Sequence, residues 1–171
     1  QTYTNMQIIV IDDGSDDDTP TIGRDLQRAG LIDLFIRNEI RGGKASAANF
    51  GLRFTQGKFI IHMDADCSYD RDAIEKIIIP FYIDKEVGGV GGNVMVRNYD
   101  ESLVTSLQAI EYYDTISIGR SVTSYLGIYR IISGAFGAFR ADVLEQMKGW
   151  DIGPGLDGDI TVKVRKLGYK I

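Results

Sequence analysis

The stretch Phe59-Ile60-Ile61-His62-Met63-Asp64-Ala65-Asp66 constrains this chain more than any other. An apolar run, interrupted only by His62, ends at two carboxylates separated by one small residue. Such a run suits a buried strand of a parallel sheet, and α/β sheets bind ligands beyond the C-terminal ends of their strands. Two carboxylates this close repel unless a cation sits beside them. An ion of the Mg²⁺ type takes one or two carboxylates together with phosphate oxygens, so a metal carrying a phosphorylated substrate is one reading. Two solvated carboxylates in a loop is the other.

At 171 residues the chain is sized for one domain with a core of its own. A net charge of −5 without any basic stripe argues against nucleic acid as a partner. Cys67 stands alone, which excludes an internal disulfide and a cysteine-rich metal site. No apolar run approaches the roughly 20 residues that cross a bilayer. The sequence opens on Gln1 and carries no signal peptide, so it is expected to be an excised part of a longer protein facing the cytosol.

Along the chain, Gln7 to Asp12 reads as a short buried strand, stopped by Asp12-Asp13-Gly14-Ser15. Thr21 to Ala29 follows as an amphipathic helix with Ile22, Leu26 and Ala29 on one face. Leu34 to Arg37 then completes a βαβ unit. Arg41-Gly42-Gly43-Lys44 opens a small-residue helix whose N-terminus favours anions. Lys44 could meet a diphosphate there, although the spacing is not that of a P-loop, and the two glycines read equally as a flexible turn.

After Asp66, helical spacing over Asp70 to Phe81 places Ala73, Ile74, Ile77, Ile78 and Phe81 inward, with Pro80 disturbing the end. Val87 to Arg97 reads as a strand, and Ser102 to Ile118 as a longer helix carrying Leu103, Leu107, Ile110 and Ile118. Ile131 to Arg140 reads as a strand or tight turn. Asp157 to Leu167 forms a helix with Ile160, Val164 and Leu167 on one face and Gly168 as its stop. Asp157 and Asp159 fall in its first turn, where carboxylates also serve the helix dipole alone. His62 reads as a packed core residue and Cys67 as a small buried filler. The fold class is one α/β domain with a mostly parallel central sheet flanked by helices.

Taken together, Val10-Ile11-Asp12-Asp13-Gly14-Ser15, Gly43-Lys44-Ala45 with Asn49, Met63-Asp64-Ala65-Asp66, Ser133-Gly134-Ala135-Phe136 and Gly149-Trp150-Asp151 resemble family 2 glycosyltransferases. Asp157-Gly158-Asp159-Ile160-Thr161 and the closing Gly168-Tyr169-Lys170-Ile171 continue the match. Leu107-Gln108-Ala109-Ile110-Glu111-Tyr112 is similar to a segment of the processive synthases of cellulose, chitin, hyaluronan and poly-N-acetylglucosamine.

The resemblance implies a nucleotide-sugar-binding GT-A fold and transfer of a sugar to an acceptor hydroxyl with inversion. Residues 1–100 would form the nucleotide-sugar half and residues 101–171 the acceptor-side half of a single, incomplete domain. By position, Asp12 and Asp13 match the acidic pair that contacts uridine, and Lys44 a lysine near base and diphosphate. Asp64 and Asp66 match the metal–diphosphate motif, with Asp66 facing Mg²⁺ or Mn²⁺. Asp157 falls on the general base, with Asp159 as its rival, and Gly134, Ala135 and Trp150 fall on the acceptor side. Trp150 reads equally as core. The implied partners are a nucleotide-sugar donor and a saccharide or lipid-linked acceptor, at the cytoplasmic face of a membrane-associated parent.

The chain departs from the family pattern in three places. Gly155 and Leu156 stand where the base motif usually has Thr and Glu. The family's first strand has no counterpart before Gln1, so an exposed sheet edge and self-association through it are expected. No Q-x-x-R-W-like motif follows Ile171. A nucleotide-binding module without turnover, or an inactive fragment, is therefore the alternative. A dinucleotide-dependent dehydrogenase is set aside, because no G-x-G-x-x-G turn follows the first strand.

Overall fold

A computed structural model describes residues 1–128, 131–151 and 155–171, except the side chain of Leu156. The first strand, β1 (Ile9–Asp12), leads through α1 (Thr19–Arg28) to β2 (Leu34–Arg37), which pairs with it in parallel, Ile9 opposite Leu34 and Asp12 opposite Arg37. This is the expected βαβ unit. Helix α1 turns a different face inward, however: Pro20 and Gly23 are buried while Ile22 is 56% exposed. The Phe35 ring lies where a Gly23 side chain would stand, so the missing Cβ decides which face meets the strand.

Helix α2 (Lys44–Leu52) follows, then β3 (Phe59–Met63), α3 (Ala73–Ile83) and β4 (Gly89–Gly91). A continuous helical arm comes next, made of α4 (Leu103–Tyr112), a π-helical stretch over Tyr113–Ile118, and α5 (Gly119–Tyr125). The chain closes with β5 (Phe136–Arg140), α6 (Ala141–Met147) and α7 (Leu156–Lys166). Strand β5 lies between β3 and β4 and runs antiparallel to both. The α/β class is as expected, but the sheet is parallel only in part. Runs as apolar as β3 suit either direction, and β3 pairs here with a strand of opposite sense.

Among the described residues β1 and β3 each have one unpaired edge. Helix α2 packs over both: the side chain of Ile11 in β1 lies where a Gly51 Cβ would stand, and Ala45, Ala48 and Leu52 share a core cluster with Ile60 of β3. That cluster joins Ile132, Phe139, Val143, Leu144, Met147, Trp150, Ile160 and Val164. A second cluster lies on the other face of β3, where Phe59, Ile61 and Met63 meet Ala73, Ile77, Ile78 and Phe81 of α3. The alternation of β3 thus feeds two cores and leaves His62 on the same face as Ile60 and Asp64.

All five inward positions read for α3 are buried. Pro80 does not end the helix, which runs on to Ile83. The carbonyl that Pro80 leaves without an intrahelical donor belongs to exposed Lys76, where water reaches it. The expected Val87–Arg97 strand contracts to three residues of β4 amid its glycines. Leu103, Leu107 and Ile110, read as an apolar helix face, are 76%, 57% and 66% exposed and belong to neither core cluster. In α7, Ile160 and Val164 are buried as expected, whereas Leu167 is 43% exposed at the helix end.

Candidate functional site

The chemistry-bearing residues meet where β3 ends, α2 begins and α7 begins. Gly43 enters α2 with φ of 83°, a conformation that favours glycine. Lys44, the first residue of that helix, places its Nζ 2.5 Å from Oδ1 of Asp64. The like charges of Asp64 and Asp66 are thus relieved on one side by the chain's own cation. Asp66 lies exposed in the turn after β3, where the Cys67 thiol stands 3.6 Å from its Oδ1. Cys67 itself is exposed rather than a buried filler, because β3 stops at Met63 and the following turn faces solvent.

The tight turn Ser133-Gly134-Ala135 ties this carboxylate turn to α7. The Ala135 carbonyl accepts from the Asp64 N–H at 3.1 Å. One residue earlier, the Gly134 N–H donates to Oδ2 of Asp157 at 2.8 Å. A Cβ on Gly134 would collide with the Asp157 carboxylate, so glycine is needed for this approach. Asp157 is half-buried against the turn while Asp159 points outward and is exposed. Of the two carboxylates in the first turn of α7, Asp157 is the one bonded to the Gly134 turn.

His62 lies within electrostatic reach of Lys44, Asp64 and Asp157 at once. Burial pushes its imidazole below the usual range, Lys44 adds to this, and the two carboxylates oppose it. Its ring packs against Trp150 with centroids 5.7 Å apart. Trp150, expected on the acceptor side or in the core, is only 6% exposed and also meets Phe139 edge-on at 5.9 Å. It belongs to the core.

The acidic pair at the end of β1 works internally. Asp12 is 3% exposed, its Oδ1 accepts from the Ser15 N–H at 2.9 Å, and Arg37 stands 3.6 Å from Oδ2. Asp13 accepts from the Asn38 amide at 2.9 Å and from the N–H groups of Gly42 and Gly43. The Asn38 bond, with those two N–H groups and Arg41, holds the Asp13 carboxyl below its usual range against the opposing effect of burial. Asp13 thereby fixes the turn that presents Lys44.

Three residues that spacing did not single out as functional organise the site. The Tyr69 hydroxyl lies 2.9 Å from the carbonyls of both Asp64 and Ala135. The Thr161 hydroxyl joins α7 to Ile132. Asn49, noted only within a motif, grips both backbone polar groups of Trp150. No periodic signal marks a hydroxyl or amide that bonds to distant backbone.

A metal fits this donor set in one particular way. Among the described residues no group of three or more His, Cys, Asp or Glu side chains is arranged as a metal cage. Among the described residues, Asp66 and one oxygen of Asp64 are left without a cation. Two open carboxylates suit an ion of the Mg²⁺ class that draws its remaining ligands from water and a phosphorylated substrate. A groove of about 860 Å³ bordered by Arg37, Asn38, Phe50, Arg53 and Lys148 lies elsewhere, and none of Asp64, Asp66 and Asp157 lines it.

Comparison with known proteins gives the family and the fold. The family model described as glycosyl transferase family 2 matches residues 1–147. A poly-beta-1,6-N-acetyl-D-glucosamine synthase of Staphylococcus epidermidis is 33% identical over 149 residues, covering 87% of this chain and 36% of the relative. The enzyme of the same name from Staphylococcus aureus strain COL is 30% identical over 171 residues, covering 99% of this chain and 41% of the relative. The chain therefore spans about two fifths of these relatives. Among solved structures, a mannosyltransferase from Pyrobaculum calidifontis in complex with GDP-Man and Mn²⁺ superposes with a TM-score of 0.75. It is 26% identical, and the match covers 96% of this chain and 44% of that one. GalNAc-T7 with UDP, GalNAc and Mn²⁺ shares the fold at a TM-score of 0.64 and 15% identity, over 96% of this chain and 35% of that one.

Proposed function

The chain belongs to glycosyl transferase family 2, and from that premise we propose that it is the donor-binding and catalytic part of an inverting transferase. It moves a sugar from a nucleotide diphosphate, of the uridine series, to an acceptor hydroxyl in polysaccharide or glycolipid synthesis. The observation that carries this reading is the Ser133-Gly134-Ala135 turn, which ties Asp64 to Asp157 through consecutive backbone groups. A donor carboxylate and a candidate base are thereby held in one frame.

Each residue then has a task. Asp157 acts as general base: Gly134 holds Oδ2, which leaves Oδ1 to take the acceptor proton. Lys44 gives up its pair with Asp64 to meet the diphosphate at the N-terminus of α2. Asp13 holds the Gly42-Gly43 turn beside the nucleotide, and Asp12, bonded to the Ser15 N–H, fixes the turn that carries Asp13. Gly134 and Ala135 border the acceptor side. Asp66 and Asp64 would hold Mn²⁺ or Mg²⁺, which when bound offsets the charge that gathers on the leaving diphosphate. The partner of the reaction is a saccharide or lipid-linked acceptor, and the parent protein works at the cytoplasmic face of a membrane. No described helix is long and apolar enough to cross that membrane itself.

Calorimetric titration of UDP into the chain, first with Mn²⁺ and then with EDTA, tests the donor site. Metal-dependent binding that Asp66→Ala abolishes supports it; binding of equal strength in EDTA overturns it. Gly155 and Leu156 motivate the rival reading, a nucleotide-binding module without turnover. UDP binding without sugar transfer in the full-length parent would favour that reading. The unpaired edges of β1 and β3 support self-association as a separate proposal, which a monomer in sedimentation at high concentration would exclude.

A further inference from the structure

The Tyr69 and Thr161 hydroxyls bond to backbone carbonyls of Asp64 and Asp157 rather than to their carboxylates, and each also bonds to the turn that joins them. We infer that Ile132–Ala135 is a rigid spacer, pinned by the Thr161 hydroxyl at one end and the Tyr69 hydroxyl at the other, that sets where Asp157 stands relative to Asp64. The inference rests on reading Asp157 as the base.

Thr161 is fully buried, so its hydroxyl has no water to turn to. It donates to the Asp157 carbonyl at 2.5 Å and accepts from the Ile132 N–H at 3.0 Å. The first bond lies within α7 and the second leaves it. The start of the spacer is therefore anchored to the same helical turn that carries Asp157. Valine would fill the same space without either bond, so the hydroxyl serves connection rather than volume.

At the other end the Tyr69 hydroxyl sits between the carbonyls of Asp64 and Ala135, 2.9 Å from each. It has one proton and donates to one of them at a time. A tyrosine phenol keeps its proton at neutral pH, so this donor is available. Its ring packs on Phe136 with centroids 5.2 Å apart. Between the pins the turn is crowded: a Cβ on Gly137 would come within 2.7 Å of the Ile132 side chain and 3.0 Å of the Ser133 carbonyl. Neither Tyr69 nor Thr161 is a catalytic residue; both are positioning residues.

The test uses Thr161→Val, Thr161→Ser and Tyr69→Phe in this chain, read by amide hydrogen exchange in NMR and by UDP titration with Mn²⁺. Loss of one hydrogen bond corresponds to about tenfold in an opening equilibrium. Thr161→Val is expected to speed exchange about tenfold at both Ile132 and Gly134, and Thr161→Ser to restore both. Tyr69→Phe should do the same at the Asp64 amide. UDP affinity with Mn²⁺ should move less than about twofold in the Thr161 variants, since no bond to a donor residue side chain is lost.

Faster exchange at Ile132 with Gly134 unchanged, or no rescue by serine, overturns the inference. Release of UDP from UDP-N-acetylglucosamine in the full-length parent separates it from the base reading. If Asp157→Asn keeps full turnover while Gly134 responds to Thr161→Val, the base assignment fails and the spacer stands. If Asp157→Asn abolishes turnover while Thr161→Val alters neither Gly134 exchange nor kcat, the spacer fails and the base stands.

Discussion

Asn49 offers the sharpest test of how this site is held. Its amide nitrogen donates to the Trp150 carbonyl at 2.7 Å, and its oxygen accepts from the Trp150 N–H at 2.8 Å. The two residues lie 101 positions apart, so the pair joins α2, which presents Lys44, to the chain leaving α6. A Cβ on Gly149 would collide with the Asn49 oxygen, which shows how closely the backbones approach. Asn49→Ala leaves one buried N–H and one buried carbonyl unpaired, each costing about 1–3 kcal/mol when water cannot reach it. Asn49 is only half-buried, so some water enters and the expected loss is about 2–4 kcal/mol of a domain stability of about 5–15 kcal/mol. Asn49→Asp should cost at least as much near neutral pH, because a carboxylate oxygen then faces the Trp150 carbonyl.

Chemical denaturation measures the loss, and fluorescence reports its place, since Trp150 is the only tryptophan. A shift of its emission toward longer wavelengths in native Asn49→Ala is expected, together with the drop in stability. A loss below about 0.5 kcal/mol with unchanged emission would refute the reasoning, because ordinary surface substitutions lie in that range.

Two further outcomes follow from the same geometry. Gly134→Ala should leave metal-dependent UDP binding in place while cutting sugar transfer by about 10²-fold in the parent enzyme. The new methyl displaces the Asp157 carboxylate, and a displacement of this kind is enough to cost that much; unchanged transfer would count against Asp157. Asp13, whose carboxyl is held below its ordinary value of 3.8, contributes stability that is present above that value and lost as pH falls through the lowered one. Denaturation midpoints measured between pH 5 and pH 2.5 should therefore fall less steeply for Asp13→Asn than for the wild type.

Several elements were legible in the order of residues. Strand β2 occupies the bounds read from its apolar run, Leu34–Arg37, and α3 buries each of the five positions read from its periodicity. Both follow from patterns that repeat within a few residues. The same approach named the wrong face of α1, because the Gly23–Phe35 contact outweighs the pull of Ile22 and Ala29 toward the interior. It also gave β3 a parallel neighbour, because a continuous apolar run looks the same whichever way its partner runs.

The candidate site divides along the same line. Residue order alone brought Asp64, Asp66, Lys44, Asp157 and Asp159 forward, because carboxylates after a strand and a cation opening a helix carry their chemistry in their local setting. Position in the helix alone gave no ground to prefer Asp157 over Asp159, which share one helical turn; the family resemblance put Asp157 first. Only the tertiary structure distinguishes their surroundings, because the Gly134 N–H, 23 positions away, bonds to Asp157. Tyr69 goes unmarked in the sequence, and Thr161 appears only inside a motif, for a related reason. A hydroxyl acts through the backbone group it reaches, and which group that is depends on how the strands and helices close on one another rather than on neighbours along the chain.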